Sequence, residues 1–337
     1  MTHVEPQGAK ESPALWPICF ADVLAAERRI RPWVAPTPLR RYAPLDAAVG
    51  SGIEVWVKHE NHSPTNSFKV RNALSVMTLL TPEDRRRGVV AATRGNHGLG
   101  VAYAGAELAV PVTICVPRGN SPEKNEGMRG YGVTLVEEGR DYDESVAAAE
   151  KLVRERGARM IHSTNEPEVI AGAGTVTLEI LRELPALDAL VVSVGGGSQA
   201  VGAITVARTL KPDLPIYAVQ AAKAAAAHDS WRAGRPVPTA SADTFADGLA
   251  TRSVYTLTFE PLRRGLEDFV VVDEGEIAEA VRVLLSTTHN VAEGAGAAGL
   301  AGVRRLGQTL AGKRVAIICS GGNIDRATLR RVLNGEI

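Results

Sequence analysis

The sequence predicts an α/β protein built on open, twisted sheets of parallel strands, and three observations lead to that fold class. Short β-rich segments alternate with longer helical ones over the 337 residues. Several β-rich segments are apolar at nearly every position, which is typical of strands covered by helices on both faces. The regular strand–helix alternation favours a doubly wound arrangement with right-handed crossovers.

Nine strands are expected, in chain order at residues 53–58, 88–93, 112–117, 133–138, 159–163, 189–194, 215–220, 268–273 and 314–320. Five longer segments rich in Ala, Leu, Val, Glu and Arg are expected to be helices, at residues 141–156, 168–184, 198–210, 274–287 and 322–333. Ligands bind beyond the carboxyl ends of the strands in such a sheet. The loops that follow strands are therefore where a site is expected.

The composition limits the kinds of partner. Lys and Arg together number 38, as do Asp and Glu, so the formal net charge is zero. Nucleic acids and anionic membranes select a basic excess, and neither is expected as a partner. No apolar run reaches membrane-spanning length, and residues 1–17 lack an apolar signal core and are interpreted as a loose arm. Cys19, Cys115 and Cys319 lie far apart without a paired framework, which favours a reducing cytoplasm.

Residues 61–73, NHSPTNSFKVRNA, change from turn-formers to a helical pattern, and Lys69 stands at the change. The positive end of the helix macrodipole disfavours an ammonium at that point. The same field and partial desolvation lower the pKa of an amine from its ordinary value of about 10.4. The position therefore suits a neutral amine better than an ammonium.

A glycine-rich loop follows the strand predicted at 189–194. The backbone N–H groups of Gly195, Gly196 and Gly197 can converge on an anion because these residues lack a Cβ. Ser198 adds a hydroxyl, and the start of the next helix adds positive dipole. The spacing is neither G-x-G-x-x-G nor a P-loop, which argues against dinucleotides and nucleoside triphosphates. The loop is either a phosphate site or a flexible tight turn.

A second loop of this kind follows the strand predicted at 88–93 and reads Thr93-Arg94-Gly95-Asn96-His97-Gly98. The Asn96 amide can donate to a ring oxygen, and Thr93 with the loop amides could hold a carboxylate. A histidine at such a helix start has a lowered pKa and stays neutral. The alternative is an ordinary strand–helix turn with a capping asparagine.

Ser320 ends the last predicted strand and precedes Gly321 and Gly322. Its hydroxyl can point into the crevice at the ends of the strands. The alternative for this residue is a simple turn or cap.

Six stretches, taken together, resemble one family: SFKVRNA, RGNHG, VGGGS, ADGLA, AEGAGAAG and SGGN. They follow the order and approximate spacing of the fold type II pyridoxal-phosphate (PLP) enzymes, the tryptophan synthase β-like superfamily, and are most similar to its serine/threonine dehydratase branch. The resemblance extends from about Pro36 to Asn323. It implies a large PLP-binding domain at residues 1–87 and 165–337, a small domain at 88–164, an active site in the cleft between them, and a homodimer.

The resemblance also implies roles for the motif residues. Lys69 would be catalytic and would carry pyridoxal 5′-phosphate as a Schiff base. The cofactor would further be bound by Phe68 and Gly248 at the ring, Asn96 at the 3-oxygen, Ser320 at the pyridine nitrogen, and Gly195, Gly196, Gly197 and Ser198 at the phosphate. The residues expected around the substrate are Ser67, Thr93, Arg94, His97 and Glu293.

The implied reaction is a β-elimination. Freed Lys69 would remove the Cα proton, with PLP as the electron sink. A serine rather than a carboxylate at the pyridine nitrogen leaves that nitrogen largely unprotonated, which favours prompt loss of a β-hydroxyl. The expected substrate is L-threonine, L-serine or a 3-hydroxyaspartate-like amino acid, and the products are a 2-oxo acid and ammonia. The alternatives are an amino-acid racemase, a β-replacement enzyme on the same scaffold, and a non-catalytic protein that binds PLP or an amino acid.

Three departures from the family pattern refine these expectations. Asn66 replaces a glycine, and asparagine tolerates positive φ best among the other residues. Arg94 stands where relatives that racemise carry a proton-shuttling hydroxyl, so racemisation is disfavoured. Arg94 either binds a second anionic group of the substrate or faces solvent or a neighbouring acid.

Gln220 and Ala226 stand where the branch often has carboxylates for a divalent cation, so no metal is expected there. His97 separates the chain from the sulfhydrylases, which have G-N-T-G.

Overall fold

The computed structural model of the chain describes residues 16–140 and 142–337, so most of the predicted N-terminal arm lies outside the described residues. Ten strands lie within this part of the chain: β1 (Leu39–Arg41), β2 (Glu54–His59), β3 (Val89–Ala92), β4 (Val112–Val116), β5 (Thr134–Glu137), β6 (Arg159–Met160), β7 (Ala189–Ser193), β8 (Ile216–Ala221), β9 (Asp268–Val272) and β10 (Arg314–Cys319). The α-helices are α1 (Phe20–Ile30), α2 (Ala43–Val49), α3 (Lys69–Met77), α4 (Pro82–Arg87), α5 (Asn96–Leu108), α6 (Pro122–Arg129), α7 (Tyr142–Arg156), α8 (Pro167–Glu183), α9 (Ser198–Leu210), α10 (Ala226–Ala233), α11 (Thr256–Gly265), α12 (Glu274–Thr288), α13 (Gly294–Leu306) and α14 (Arg326–Leu333).

The strands form two open sheets, which confirms the predicted α/β class with parallel sheets. One sheet has six strands in the order β1-β2-β10-β7-β8-β9, and the other has four in the order β5-β4-β3-β6. All neighbouring strands run parallel except β1, which pairs antiparallel with β2 at the edge of the larger sheet. The pattern of the sequence missed β1 because this strand is only three residues long.

Each of the nine predicted strands overlaps an observed one, and the largest difference is at β6, which keeps two residues of the range 159–163. The helix predicted at 322–333 begins later, at Arg326. Two contacts explain why the helix begins at Arg326. The Asp325 carboxylate accepts from the backbone N–H of Thr328 at 2.8 Å and so caps the helix. Just before it, Gly321 pairs with Ser67 in an isolated β-bridge.

Helices cover both faces of the six-stranded sheet, and β7 shows how the sequence produces this. Leu190 and Val192 belong to the core cluster on one face, whereas Ala189 and Val191 belong to the cluster on the other. All five β7 residues are buried, because alternate side chains of a strand point to opposite faces. The continuous apolar run in the sequence therefore has the predicted cause.

Helix α3, which starts at Lys69, packs with elements of the four-stranded sheet. Val70 and Leu74 of α3 share one core cluster with Val89 of β3 and Ile114 of β4. The four-stranded sheet lies within the range predicted for a small domain, and the division at 88 and 164 stays a prediction. No helix in the described ranges is long and apolar enough to cross a bilayer.

Candidate active site

A cavity of about 500 Å³ lies where the loops after β3, β7 and β10 converge. The structure brings together there all the predicted site residues except Ser67: Phe68, Lys69, Thr93, Arg94, Asn96, His97, Gly195, Gly196, Gly197, Ser198, Gly248, Glu293 and Ser320. These residues come from loops far apart in the sequence. Their convergence follows from the sheet topology, because the carboxyl ends of parallel strands meet at one edge.

Ser67 does not line this cavity. It is fully buried, and its hydroxyl accepts from the backbone N–H of Lys69 at 3.4 Å. The preceding residue, Asn66, has φ of 53°, so the asparagine adopts the left-handed turn conformation that the sequence predicted. Both residues shape the turn that leads into α3. The predicted contact of Ser67 with a substrate carboxylate stays a prediction.

The Lys69 amine is held inside the cavity. Its Nζ donates to the backbone carbonyl of Ser163 at 2.9 Å and lies 5.1 Å from the centre of the Phe68 ring. Burial lowers the pKa of Lys69 from 10.5 to about 8, because the ammonium loses hydration that one carbonyl replaces only partly. A substantial fraction of the amine is thus neutral in mildly alkaline solution, as the sequence predicted.

The glycine-rich loop forms an anion cradle. The carbonyls of Gly195 and Gly196 accept from the hydroxyls of Thr251 (3.3 Å) and Thr258 (2.9 Å). The N–H groups of residues 195–198 donate to no other residue of the described chain, and α9 begins at Ser198. Unpaired amides at a helix start are the donor set that a phosphate needs. A Cβ on Gly196 would lie 2.3 Å from the Thr164 hydroxyl, so the loop has no room for a side chain there.

The asparagine loop is held by its own side chains. The Thr93 hydroxyl accepts from the N–H groups of Gly95 (2.9 Å) and Gly98 (3.2 Å). The Asn96 amide donates to Glu293 at 2.6 Å and accepts from Asn323 at 2.8 Å, which leaves one N–H hydrogen of its amide for a ligand. Burial raises the pKa of the Glu293 carboxyl, although the nearby Lys124 ammonium partly offsets it.

His97 has a lowered pKa and is neutral, as expected. Burial is the largest cause that lowers its pKa, to about 3, and the positive charge of Lys69 adds to it. Its Nε2 lies 2.9 Å from the Ile161 carbonyl, which can only accept, so Nε2 carries the proton. The other ring nitrogen, Nδ1, is buried without a partner in the described chain. It is therefore a hydrogen-bond acceptor.

Several cavity residues were missed by sequence analysis, namely Lys124, Tyr142, Ser163, Thr164, Asp247, Thr251 and Tyr255. Lys124 of α6 forms an ion pair with Asp247 at 2.6 Å, although 123 residues separate them. No local pattern distinguishes such residues from ordinary surface positions. His162 was expected to be a packing or surface residue, and its Nδ1 accepts from the N–H groups of Thr164 and Asn165, so it shapes the loop that holds Lys69.

An amine and a group of unpaired backbone amides in one cavity suit an enzyme whose cofactor carries both a carbonyl group and a phosphate. The family model described as "Pyridoxal-phosphate dependent enzyme" matches residues 30–321. The chain belongs to this family of PLP-dependent enzymes, which confirms the resemblance seen in the sequence. The donor set described above fits the cofactor.

Three relatives show where the chain lies within this family. It is 38% identical over 317 residues to the L-threonine ammonia-lyase of Thermotoga maritima, covering 94% of this chain and 78% of that protein. It is 34% identical over 316 residues to an L-threo-3-hydroxyaspartate ammonia-lyase of a Pseudomonas species, covering 94% and 98%. The structure of maize serine racemase superposes with a TM-score of 0.89 at 29% identity, covering 95% of this chain and 98% of that one.

Proposed function

We propose that the chain is a PLP-dependent ammonia-lyase that converts a hydroxy amino acid into a 2-oxo acid and ammonia. The substrate class is L-threonine, L-serine or a 3-hydroxyaspartate-like amino acid. The observation that carries the proposal is the amine of the half-buried Lys69, which shares one cavity with the anion cradle of residues 195–198 and with Ser320. The identity to two ammonia-lyases over 94% of the chain supports it.

Each cavity residue has a proposed task. The phosphate is held by Gly195, Gly196, Gly197 and Ser198, the ring by Phe68 and Gly248, the 3-oxygen by Asn96, and the pyridine nitrogen by Ser320. When bound, the cofactor supplies an electron sink for the bond broken at Cα. Ser320 donates or accepts a hydrogen bond without adding a negative charge, so it does not hold a proton on the pyridine nitrogen.

Lys69 has two tasks in this proposal: it holds the cofactor covalently, and its freed amine removes the Cα proton. A base works best when its pKa lies close to the working pH. The pKa of about 8 for Lys69 meets this condition, whereas an exposed lysine would be almost fully protonated. The Ser163 carbonyl orients the amine within the cavity.

Arg94 supports substrates that carry a second carboxylate. Its side chain lines the active-site cavity and also the outer cavity next to it. Within the described part of the chain the Arg94 guanidinium has neither a hydrogen bond nor an ion pair, so its five N–H donors are available to a ligand. Thr93 and the amides of the asparagine loop would hold the α-carboxylate, His97 and Glu293 would adjoin the substrate, and Arg94 would hold a β-carboxylate.

The racemase alternative is supported by the likeness to maize serine racemase. Racemisation needs a second proton donor on the face of Cα opposite Lys69. Arg94 occupies the sequence position where relatives that racemise carry a hydroxyl, and a guanidinium does not release its proton near neutral pH. We therefore favour elimination over racemisation.

The test is release of 2-oxo acid and ammonia from L-threonine, L-serine and L-threo-3-hydroxyaspartate by the purified enzyme. We expect release from at least one of them, and none from Lys69→Ala, which should also lack the absorbance of the lysine-bound cofactor. Inversion of the Cα configuration without ammonia release would favour the racemase instead. Absence of both products with all three substrates would contradict the proposal.

Replacing Arg94 with alanine tests the dicarboxylate site. We expect KM for 3-hydroxyaspartate to rise about tenfold or more, since a charge-assisted pair contributes on the order of 1.5–3 kcal/mol, and KM for serine to change little. Arg118→Ala is the matched control, because Arg118 lines only the outer cavity. Equal effects of Arg94→Ala on both substrates would exclude the second-carboxylate contact.

Three further predictions concern the oligomeric state, the domain division and the cellular location. We propose a homodimer, which sedimentation equilibrium would test, and a small domain at residues 88–164. We also propose a cytoplasmic location, on the ground that Cys19, Cys115 and Cys319 are all free thiols.

A further inference from the structure

Four charged side chains are buried together close to Lys69, and none of them lines the active-site cavity. They are Lys58, Glu60, Arg71 and Glu179, whose side chains are 0%, 0%, 1% and 8% exposed. We call them the buried charge cluster. Their formal charges cancel, and the reaction proposed above uses none of them.

Arg71 is the centre of the buried charge cluster. Its Nε and Nη2 donate to the two carboxylate oxygens of Glu60 at 2.8 and 2.9 Å. Its Nη1 and Nη2 donate to the two oxygens of Glu179 at 2.7 and 3.0 Å. Burial alone would raise the pKa of Glu179, but Arg71 and Lys58 outweigh it and keep that pKa below its ordinary value. The planar guanidinium of Arg71 thus forms paired hydrogen bonds with two carboxylates, which the ammonium of a lysine cannot do.

The remaining contacts complete the cluster. Lys58 Nζ lies 2.6 Å from Glu179 and 2.6 Å from the Thr37 carbonyl. The Thr37 hydroxyl donates to Glu60 at 2.6 Å. The cluster therefore joins β2, the turn that follows it, helix α3 and helix α8 at one point.

The backbone at the start of α3 is also enclosed by neighbouring helices. A Cβ on Gly100 of α5 would lie 2.7 Å from the Lys69 carbonyl, and one on Gly172 of α8 would lie 2.6 Å from the Arg71 carbonyl. Two helices thus touch the α3 backbone within three residues of each other in the chain. The first turn of α3 is fixed by close packing on its backbone and by ion pairs on the Arg71 side chain.

We infer that Arg71 is a positioning residue for Lys69, and that the buried charge cluster sets where the Lys69 amine lies in the cavity. Stability alone does not account for the cluster, because apolar residues of similar volume are often as stable as a buried ion pair. Directional hydrogen bonds to two carboxylates fix the rotation of α3 about its axis and its position along that axis. Apolar packing lacks this directionality. The inference rests on the proposed role of Lys69.

Arg71→Lys keeps the charge and removes the fork, so it tests the inference. We expect kcat to fall about 10- to 100-fold, since an error near 1 Å in placing a catalytic group has effects of that size. KM should change less than about twofold, because the groups proposed to hold the substrate carboxylates lie on the loop after β3. In cofactor-free protein, uptake of pyridoxal phosphate by Lys69, followed by absorbance, should slow at least severalfold.

Arg314→Lys is the matched control. Arg314 makes a similar paired contact with Asp188, but this pair is about 40% exposed and lies at the start of β10, away from the cavity. Its loss should leave kcat and the uptake rate unchanged. If Arg71→Lys fails to fold, Thr37→Val replaces it as the test, because it removes only the hydroxyl that donates to Glu60. We then expect smaller decreases in kcat and in the rate of cofactor uptake.

A folded Arg71→Lys protein with lowered thermal stability but wild-type kcat and uptake rate would overturn the inference, and the cluster would then be purely structural. A wild-type value of both quantities in Thr37→Val would do the same if Arg71→Lys does not fold. Failure of the proposed function gives a different result. In that case the wild-type enzyme releases no ammonia, while cofactor uptake still depends on Arg71.

Discussion

At the scale of single residues, the site depends on burial of groups that would ordinarily be charged. Lys69 and His97 both have lowered pKa values, and burial is the largest cause for each. A partly neutral amine suits covalent binding of the cofactor. In the cofactor-free protein, however, desolvation of this amine lowers the free energy of unfolding. Chemical function and stability are therefore in conflict at Lys69.

This conflict predicts that Lys69→Met stabilises the cofactor-free protein. The folded pKa of about 8 lies below the unfolded value of 10.5, so below pH 8 the folded protein must bury an ammonium. The gain in the free energy of unfolding should reach up to about 3 kcal/mol at pH 7, from 1.36 kcal/mol per pKa unit. It should decline as the pH rises from 8 to 10.5, where the unfolded amine also loses its proton. Urea unfolding at pH 7 and pH 10 measures it.

The control for that variant is Lys313→Met, because Lys313 is partly exposed just before β10 and lies away from the cavity lining, so this variant should show no comparable gain. A stability gain for Lys69→Met that stays the same at pH 7 and pH 10 would mean that the buried charge is not its cause.

At the scale of elements, the cavity is lined by segments that connect the strands of both sheets. Helix α6 contributes Lys124, and the short turn Asp247–Leu249 contributes Asp247 and Gly248. Burial alone would lower the pKa of Lys124, but the carboxylate of Asp247 outweighs it and keeps the amine charged. This ion pair connects two segments that share no strand pairing, so it holds the turn over the cavity.

We expect Asp247→Asn to loosen this turn. Hydrogen exchange of the amides in residues 239–256 should become faster, because the neutral amide replaces a charge-assisted bond to a nearly buried ammonium. Cofactor affinity should fall with it, since Gly248 lines the cavity. Mass-spectrometric hydrogen exchange measures the first effect and absorbance titration the second.

Glu123→Gln serves as the control, because Glu123 precedes Lys124 and pairs with Arg326, whose side chain is 91% exposed. Exposed pairs contribute little, so exchange should stay as in the wild type. If both variants exchanged at the same rate, the Lys124–Asp247 pair would have no special part in holding the turn.

At the scale of the whole molecule, helix α3 completes the core on one face of the four-stranded sheet. The cluster around β3 and β4 includes Val70, Leu74 and Met77 of α3 as well as Ile30 and Val34 near the end of α1. On this face, residues 88–164 bury apolar surface against α3 and α1, whereas the cluster that contains Val90 and Cys115 lies wholly within 88–164. Lys69 is in the first turn of α3.

We expect a fragment of residues 88–164 to lack a cooperative thermal transition, because it exposes the face that α3 covers. The full chain should unfold with that region in one transition. Circular dichroism during heating compares the two. A sharp transition in the isolated fragment would show that the predicted small domain folds on its own and that α3 is not required for its core.

The sequence determined the fold class and the loops that carry the site, and the resemblance of its six motifs to one family indicated the cofactor. These are local properties: strand and helix periods, the glycines of residues 195–197, the asparagine that tolerates positive φ at residue 66, and a lysine at a helix start. Such features constrain the backbone or the chemistry within a few residues, so they can be recognised without knowing what lies opposite.

Only the tertiary structure decided which groups meet. The partners of Lys124 and Arg71 lie 123 and 108 residues away, at Asp247 and Glu179. Burial by packing is likewise the first cause of the lowered pKa of His97, and the charge of Lys69, which is distant in sequence, is the second. A charged residue looks alike in sequence whether it faces water or a distant carboxylate, because its environment is created only when the helices pack on the sheets.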